Sequence, residues 1–162
     1  MNSKKSTDLL PLMHEFIDNT MHRSMGSYFH FGRENNLSFS QLIILNRIHR
    51  RGPASVSEIS GMLEISNSAV SQLLDKLVKL ELISRYEKPE DRRKKYHSIT
   101  AKGEDLVEKS REARVAWIDS LEENISPDES EKLTEALRIM VDKIKQLEPV
   151  HHHHKNCSKK ET

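Results

Sequence analysis

The stretch of this 162-residue chain richest in chemistry runs Asp91-Arg92-Arg93-Lys94-Lys95-Tyr96-His97-Ser98-Ile99-Thr100-Ala101-Lys102-Gly103. One acid precedes four consecutive cations, and a strand-like run then leads to a helix-capping threonine. With Leu82 to Glu87 as the outgoing strand and Lys88-Pro89-Glu90-Asp91 as a turn, Lys95 to Ile99 reads as the returning strand of a β-hairpin. Arg92 and Arg93 then sit at the tip, with Lys94 and Lys95 just behind. Cations on such a tip reach into a groove lined by phosphates, and arginine is favoured where that groove is narrow and its potential most negative. Asp91 is out of place as a phosphate contact. Its expected role is intramolecular, since a carboxylate holds a neighbouring arginine in one pose through paired hydrogen bonds. The plain alternative is a solvated charged turn.

A polar-faced helix lies a short way upstream. Ser66 is placed to cap a helix from Asn67 to about Glu81, with Val70, Leu73, Leu74 and Leu77 on the inward face. Ser68, Ser71, Gln72, Asp75, Lys76 and Lys79 share the opposite face, and Asn67 stands at the open end. Short donors and acceptors come first and longer cations later. That order suits entry into a major groove, where small polar groups meet base edges and cations reach phosphates. An ordinary solvated face explains the helix taken alone. Helix and wing together favour double-stranded DNA.

The remaining elements have to hold this pair in place. Leu9, Leu12, Met13, Phe16, Ile17, Met21, Met25, Tyr28 and Phe29 recur at helical spacing, predicting a helix to about Phe31 with Gly32 at its stop. Ser38 and Gln41 form a capping box that opens a helix burying Leu42, Ile43, Leu45 and Ile48, closed by Arg51-Gly52-Pro53. Ser55 and Glu58 form a second box for a short helix through Ile59 and Met62-Leu63. Thr100 caps a long helix carrying Leu106, Val107, Ser110, Ala113, Trp117, Leu121 and Ile125. Ser126-Pro127-Asp128-Glu129 starts a last helix, whose Leu133, Ala136, Leu137, Met140, Val141, Ile144 and Leu147 run close to a heptad seam before Pro149. The expected fold is mainly α with a small β-hairpin wing: a winged helix-turn-helix with helices before and after it, and 149–162 as a disordered His-containing tail.

Composition narrows the class. Hydrophobic residues make up 35% and charged residues 31% of the chain. Thin helical layers and a core completed by a second copy suit that balance. The net charge is only +1, but from Ser66 to Gly103 nine basic residues face five acidic ones. The cationic excess is therefore local, as expected of a DNA footprint rather than a general polyanion binder. No apolar run approaches the roughly 18 residues of a membrane span. Met1 to Thr7 is polar, and Pro11, His14 and Glu15 interrupt the apolar stretch after it, so the reading is cytoplasmic with no membrane partner.

The wing and its flanks resemble the MarR family of winged-helix transcriptional regulators. In that family an arginine opens the wing, Asp-x-Arg follows at its tip, and Leu-Thr-x-x-Gly leads into the next helix. Here these are Arg85, Asp91-Arg92-Arg93 and Ile99-Thr100-Ala101-Lys102-Gly103, and the resemblance spans about Ser38 to Gly103. It implies an obligate homodimer, with 1–36 as the N-terminal helix of the dimerisation region, 37–103 as the winged helix-turn-helix DNA-binding domain and 104–148 as the C-terminal dimerisation helices, the terminal helices interleaved and one winged domain per half-site of a near-palindromic operator. It also implies that Arg93 enters the minor groove, that Asp91 orients the wing, and that base contacts come from the face starting at Asn67. The expected DNA-binding set is Asn67, Ser68, Ser71, Gln72, Lys76, Arg85, Asp91, Arg92, Arg93 and Lys94. Ile99 replaces the family's leucine harmlessly. His97 stands at a normally aliphatic strand position, favoured as a partly buried, hydrogen-bonded histidine over a pH-responsive one.

The other candidates are weaker. His14, His22 and His30 are eight residues apart, about 12 Å along a helix, too far for neighbours to share a metal. His151 to His154 with Cys157 admit three readings: a tag remnant, an adventitious metal-binding tail or a native one. The one cysteine excludes an intramolecular disulfide, and its position argues against thiol sensing. No metal or cofactor is expected. No carboxylates and histidines converge as an acid–base enzyme needs, and no glycine-rich phosphate loop is present. Met21, Met25, Tyr28 and Phe29 either line an effector pocket or are plain core. A DNA-binding regulator, most often a repressor in this family, released by a small-molecule effector, is the favoured function. A metal-responsive regulator of the same fold and a winged-helix protein–protein module are the alternatives.

Overall fold

The computed structural model describes residues 9–89 and 91–147, with side chains for all of these except Lys88, Asp91, Arg92 and Arg93. The elements in order are α1 (Leu9–Glu34), α2 (Phe39–Arg51), β1 (Ala54–Ser55), α3 (Val56–Leu63), α4 (Asn67–Lys79), β2 (Ile83–Lys88), β3 (Asp91–Ile99), α5 (Ala101–Val115), α6 (Trp117–Glu122) and α7 (Pro127–Lys145). They fall into two compact units divided between Ser120 and Leu121. The fold is mainly helical with a small antiparallel sheet, a winged helix-turn-helix, as the hydrophobic spacing predicts.

Local sequence signals set most helix starts. Ser38, Ser55 and Ser126 each form a reciprocal capping box, with Gln41, Glu58 and Glu129 respectively. In each box two orphan N–H groups of the first turn are satisfied. Gly52 closes α2 at φ 79°, in the left-handed region that favours glycine.

Gly32 has a different job from the stop that spacing predicts. It lies inside α1, where an added Cβ would stand 3.0 Å from the Leu37 carbonyl oxygen and 3.1 Å from Leu42 Cδ1. Its use is close packing of α1 on the start of α2. The stop comes from Asn36 at φ 54°, with the Asn36 N–H bonding to Arg33 O at 3.1 Å and the Leu37 N–H to Gly32 O at 2.8 Å. That pair of bonds is a Schellman closure.

The core of the first unit gathers Leu42, Ile44, Leu45 and Ile48 from α2, Ile59 from α3, Val70, Leu74 and Leu77 from α4, and Leu82, Ile83 and Val107. Ile44, rather than the predicted Ile43, is fully buried, and Ile43 is only half-buried. Helix α1 packs along α5. The helix predicted from Thr100 to Ile125 is interrupted at Ala116, next to Trp117, whose indole N–H donates to Ser24 Oγ at 3.1 Å. In the second unit, α7 ends at Lys145 with no buried residue, before Pro149, which lies outside the described residues. The proposed tail, 149–162, lies there too.

The sheet order is β1-β3-β2. Strand β1 is not foreseeable from periodicity: its two residues, Ala54 and Ser55, are a strand because they pair with His97 and Tyr96. Gly103, in the first turn of α5, sits where the backbones converge. A Cβ there would collide with the Leu82 carbonyl oxygen and stand 2.8 Å from Ile99 Cγ1. Gly103→Ala should therefore lower stability by about 1–3 kcal/mol. Gly61→Ala, on α3 where nothing lies within 4 Å, should raise it by about 0.5–1 kcal/mol. Urea denaturation midpoints of the two variants would check the contrast.

Candidate nucleic-acid interface

Helix α4 is presented by its buried face. Val70, Leu74 and Leu77 are fully buried, so the opposite residues Asn67, Ser68, Gln72, Asp75, Lys76 and Lys79 are exposed, with Ser71 half-buried. Ser66 caps the helix by accepting the Ala69 N–H at 3.2 Å. Gln41, almost fully buried, also serves this element: beyond its capping role, its side-chain amide donates to Leu73 O at 3.4 Å, tying α2 to α4. A shallow groove runs between the two, lined by Ser38, Gln41, Ala69, Gln72, Leu73 and Lys76.

The far end of α4 is locked to the wing. Glu81 takes φ 60°, ending the helix at Lys79 rather than at Glu81 as predicted. The Glu81 N–H bonds to Val78 O at 2.9 Å and the Leu82 N–H to Leu77 O at 3.0 Å. Three carbonyls beyond the helix end are then taken by the start of α5. The Thr100 N–H donates to Leu82 O at 3.1 Å, the Thr100 hydroxyl to Glu81 O at 2.7 Å, and the Lys102 ammonium to Leu80 O at 2.9 Å. Thr100 Oγ1 also accepts the Gly103 N–H at 3.1 Å. One threonine thus caps α5 and satisfies the chain leaving α4.

In the wing, β2 and β3 pair from Ile83↔Ile99 to Glu87↔Lys95, and the register then shifts so that Lys88 faces Asp91. The return strand therefore begins at Asp91, four positions earlier than predicted, and the basic run belongs to the strand rather than to a free tip. Arg92, Arg93 and Lys94 fall between two paired positions of β3 while β2 has no residue there. Such an irregularity twists a ribbon and re-aims its side chains. The side chains of Asp91, Arg92 and Arg93, and with them the poses expected of those residues, lie outside the described residues; Lys94 is exposed. One face of the ribbon carries the cross-strand pair Tyr86 and Tyr96, ring centroids 6.2 Å apart, and Ser84 and Ser98, Oγ atoms 2.9 Å apart. On the other face Arg85 stands opposite His97 and reaches α4, its Nη1 donating to Asp75 Oδ1 at 3.4 Å.

His97 is buried, 2% exposed, and its Nδ1 has no hydrogen-bond partner. Burial pushes its pKa below the ordinary 6.5; the Ala54 carbonyl pulls it back up, Arg85 lowers it and Asp75 raises it. The ring is a core member of the sheet, more deeply buried than the partly buried, hydrogen-bonded histidine expected from sequence.

At the junction of α1, α2 and α5, Tyr28 is buried and its hydroxyl accepts from Asn46 Nδ2 at 2.9 Å. Burial raises its pKa, opposed by Arg114 and by a hydrogen bond with Ser110. Phe39 packs edge-on against Tyr28 at 6.0 Å and at a tilt against Phe29 at 5.0 Å. Tyr28 is thus core, whereas Met21 and Phe29 are exposed and Met25 half-buried. Among the described residues no three His, Cys, Asp or Glu side chains are grouped to hold a metal. His151–His154 and Cys157 lie outside the described residues.

The MarR family model matches residues 37–95, the segment from the start of α2 through the wing. Over those residues the chain is similar to the MarR family. It is 31% identical over 75 residues to the uncharacterized HTH-type transcriptional regulator YhbI of Bacillus subtilis (strain 168). That match takes in 46% of this chain and 49% of YhbI, so the chain spans about half the length of this curated relative. The fold is that of the multiple antibiotic-resistance repressor (MarR) from Listeria monocytogenes, with a TM-score of 0.75, 21% identity, and 88% of this chain and 100% of that one covered. It is also that of a mutant of S. aureus MepR bound to an oligodeoxyribonucleotide, with a TM-score of 0.62, 22% identity, and 82% and 97% covered.

The burial of His97 has a thermodynamic signature. The folded pKa of this histidine is depressed, so the unfolded chain binds the proton more tightly. Stability should be full above the ordinary pKa of 6.5 and fall as pH drops through that value toward the folded pKa. His97→Leu should remove this part of the dependence. Urea midpoints at about pH 7.5 and about pH 5.5, compared between wild type and variant, measure it; equal losses in both would exclude His97 as the source.

Proposed function

We propose that this protein is a sequence-specific, double-stranded DNA-binding transcriptional regulator that acts as a homodimer, a repressor released by a small-molecule effector. The observation that carries this reading is the exposed face of α4, polar at its start and cationic further on, hydrogen-bonded through Thr100 to the base of a wing that bears a basic run. Asn67, Ser68, Ser71 and Gln72 are the base-reading candidates and Lys76 a phosphate contact. Arg85, Arg92, Arg93 and Lys94 serve the backbone and minor groove, with Asp91 orienting the wing.

The surface of one copy favours dimerisation. Leu9, Leu10, Leu12, Phe16, Ile17 and Met21 of α1 are 48–62% exposed, and Leu133, Leu137, Val141 and Ile144 of α7 are 43–59% exposed. Apolar rows of this size call for a partner, and a second copy is the simplest one. A two-fold dimer presents two α4 helices to major grooves about one helical turn apart, which calls for a near-palindromic operator. An effector that binds one spacing of the two winged domains better than another weakens operator binding by that difference in affinity. Among the described residues no helix is long and apolar enough to cross a membrane.

Selection of bound fragments from a pool of random duplexes tests the reading. An inverted repeat with half-sites about one turn apart is expected, bound with an affinity that falls steeply with salt. Recovery of no preferred duplex, or affinity indifferent to salt, overturns it. Gln72→Ala should cost about 1–3 kcal/mol on the selected duplex and much less on a shuffled one; equal losses would make Gln72 a positioning contact only. Sedimentation of the free protein should give a dimer; a monomer at micromolar concentration would remove the symmetric arrangement.

A further inference from the structure

Asp75 is the anomaly of the α4 face. It lies one turn beyond Ser71 and Gln72 and one turn before Lys79, an acid in the middle of a surface read above as facing polyanionic DNA. A carboxylate there repels every duplex alike unless it has other work. Its partner shows what that work is. Asp75 Oδ1 accepts from Arg85 Nη1 at 3.4 Å, across the gap between α4 and the first strand of the wing. The side chains are 57% and 45% exposed respectively. A single long contact between half-exposed groups contributes little to stability, so fold stability does not account for it. In the sheet register Arg85 stands opposite the buried His97. The backbone bonds through Thr100 join α4 and the wing at one end only, and the Asp75–Arg85 pair is a second attachment, on the exposed side of the joint.

We infer that Asp75 is a specificity-determining residue: by engaging Arg85 it sets the spacing of helix and wing and withholds a cation from phosphates that do not match that spacing. This inference rests on the DNA-binding reading above. Affinity for arbitrary duplex depends on the number of phosphates neutralised. A wing and helix free to adjust independently find more phosphates on any sequence. With the pair intact, Arg85 is released to a phosphate only where α4 already lies fully in its groove. Asp75 thus lowers non-cognate binding more than cognate binding.

The test uses the full-length protein and its Asp75→Asn, Arg85→Ala and doubly substituted forms. The probes are the duplex enriched from a random pool and a shuffled duplex of the same length and composition, titrated by fluorescence anisotropy at several salt concentrations. Asp75→Asn should tighten binding to the shuffled duplex about fivefold, the scale of one charge interaction near a wet surface. The logarithmic salt slope on that duplex should steepen by up to about 0.9, one additional phosphate. Affinity for the enriched duplex should stay level or fall, so the discrimination ratio shrinks. In the Arg85→Ala background the Asn substitution should have no such effect. An equal gain on both duplexes, or the same gain with Arg85 absent, would make Asp75 an uncoupled surface charge and overturn the inference while the DNA-binding reading stands. Loss of salt-dependent binding by the wild type itself would bring down both.

Discussion

The hydrogen bonds of Thr100 join the three parts on which the interface depends. The N–H of this residue takes Leu82 O, its hydroxyl donates to Glu81 O and accepts the Gly103 N–H, and Lys102 adds a bond to Leu80 O. The residues that leave α4 toward β2 and the start of α5 therefore meet in one knot of hydrogen bonds. Carbonyls after a helix end have no intrahelical partner and are costly to leave unpaired. Here their partners come from the start of another helix, which needs capping itself. Because both ends are satisfied together, the end of α4 and the base of the wing are tied to each other at this point. The arrangement requires glycine at position 103, where any side chain would strike the Leu82 carbonyl.

Around that knot the charges are placed by burial rather than by composition. The chain is nearly neutral, yet α4 turns its apolar residues inward and so gathers Gln72, Lys76 and Lys79 on one exposed surface. The wing is set by a different rule, alternation along strands. It puts Tyr86 and Tyr96 on one side and Arg85 and His97 on the other. The inner side faces α4, so the guanidinium of Arg85 meets the carboxylate of Asp75 while the His97 ring is shut away from water. The inner side thus holds a buried imidazole whose pKa is lowered by burial and whose Nδ1 has no hydrogen-bond partner, a titratable group where an aliphatic side chain would carry none.

Much of this was legible in the order of residues. Capping boxes at Ser38, Ser55 and Ser126 are local, because the side chain and the N–H it bonds lie three residues apart. The inward face of α4 follows from the 3.6-residue period, and Asn67, Ser68, Gln72 and Lys76 are exposed where that period puts them, with Ser71 only half so. Other features were not legible. Gly32 has the place of a helix stop but serves a close approach between helices, and Asn36 makes the stop instead. Two residues, Ala54 and Ser55, become a strand only through pairing with β3. The return strand starts at Asp91 and carries a register shift, which no alternation pattern in a basic run reveals. The contacts Gln41–Leu73 and Asp75–Arg85 join residues of unrelated local patterns.

By itself, then, the sequence determined the helices, their caps, the hairpin and the local concentration of positive charge, since each depends on residues a few positions apart. Tertiary structure alone decided which carbonyls Thr100 would satisfy, how deeply His97 would be buried, that Asp75 would face Arg85, and that the apolar rows of α1 would remain uncovered in a single copy. Those outcomes depend on how finished elements pack. Packing brings together groups whose separation along the chain carries no record of their distance in space.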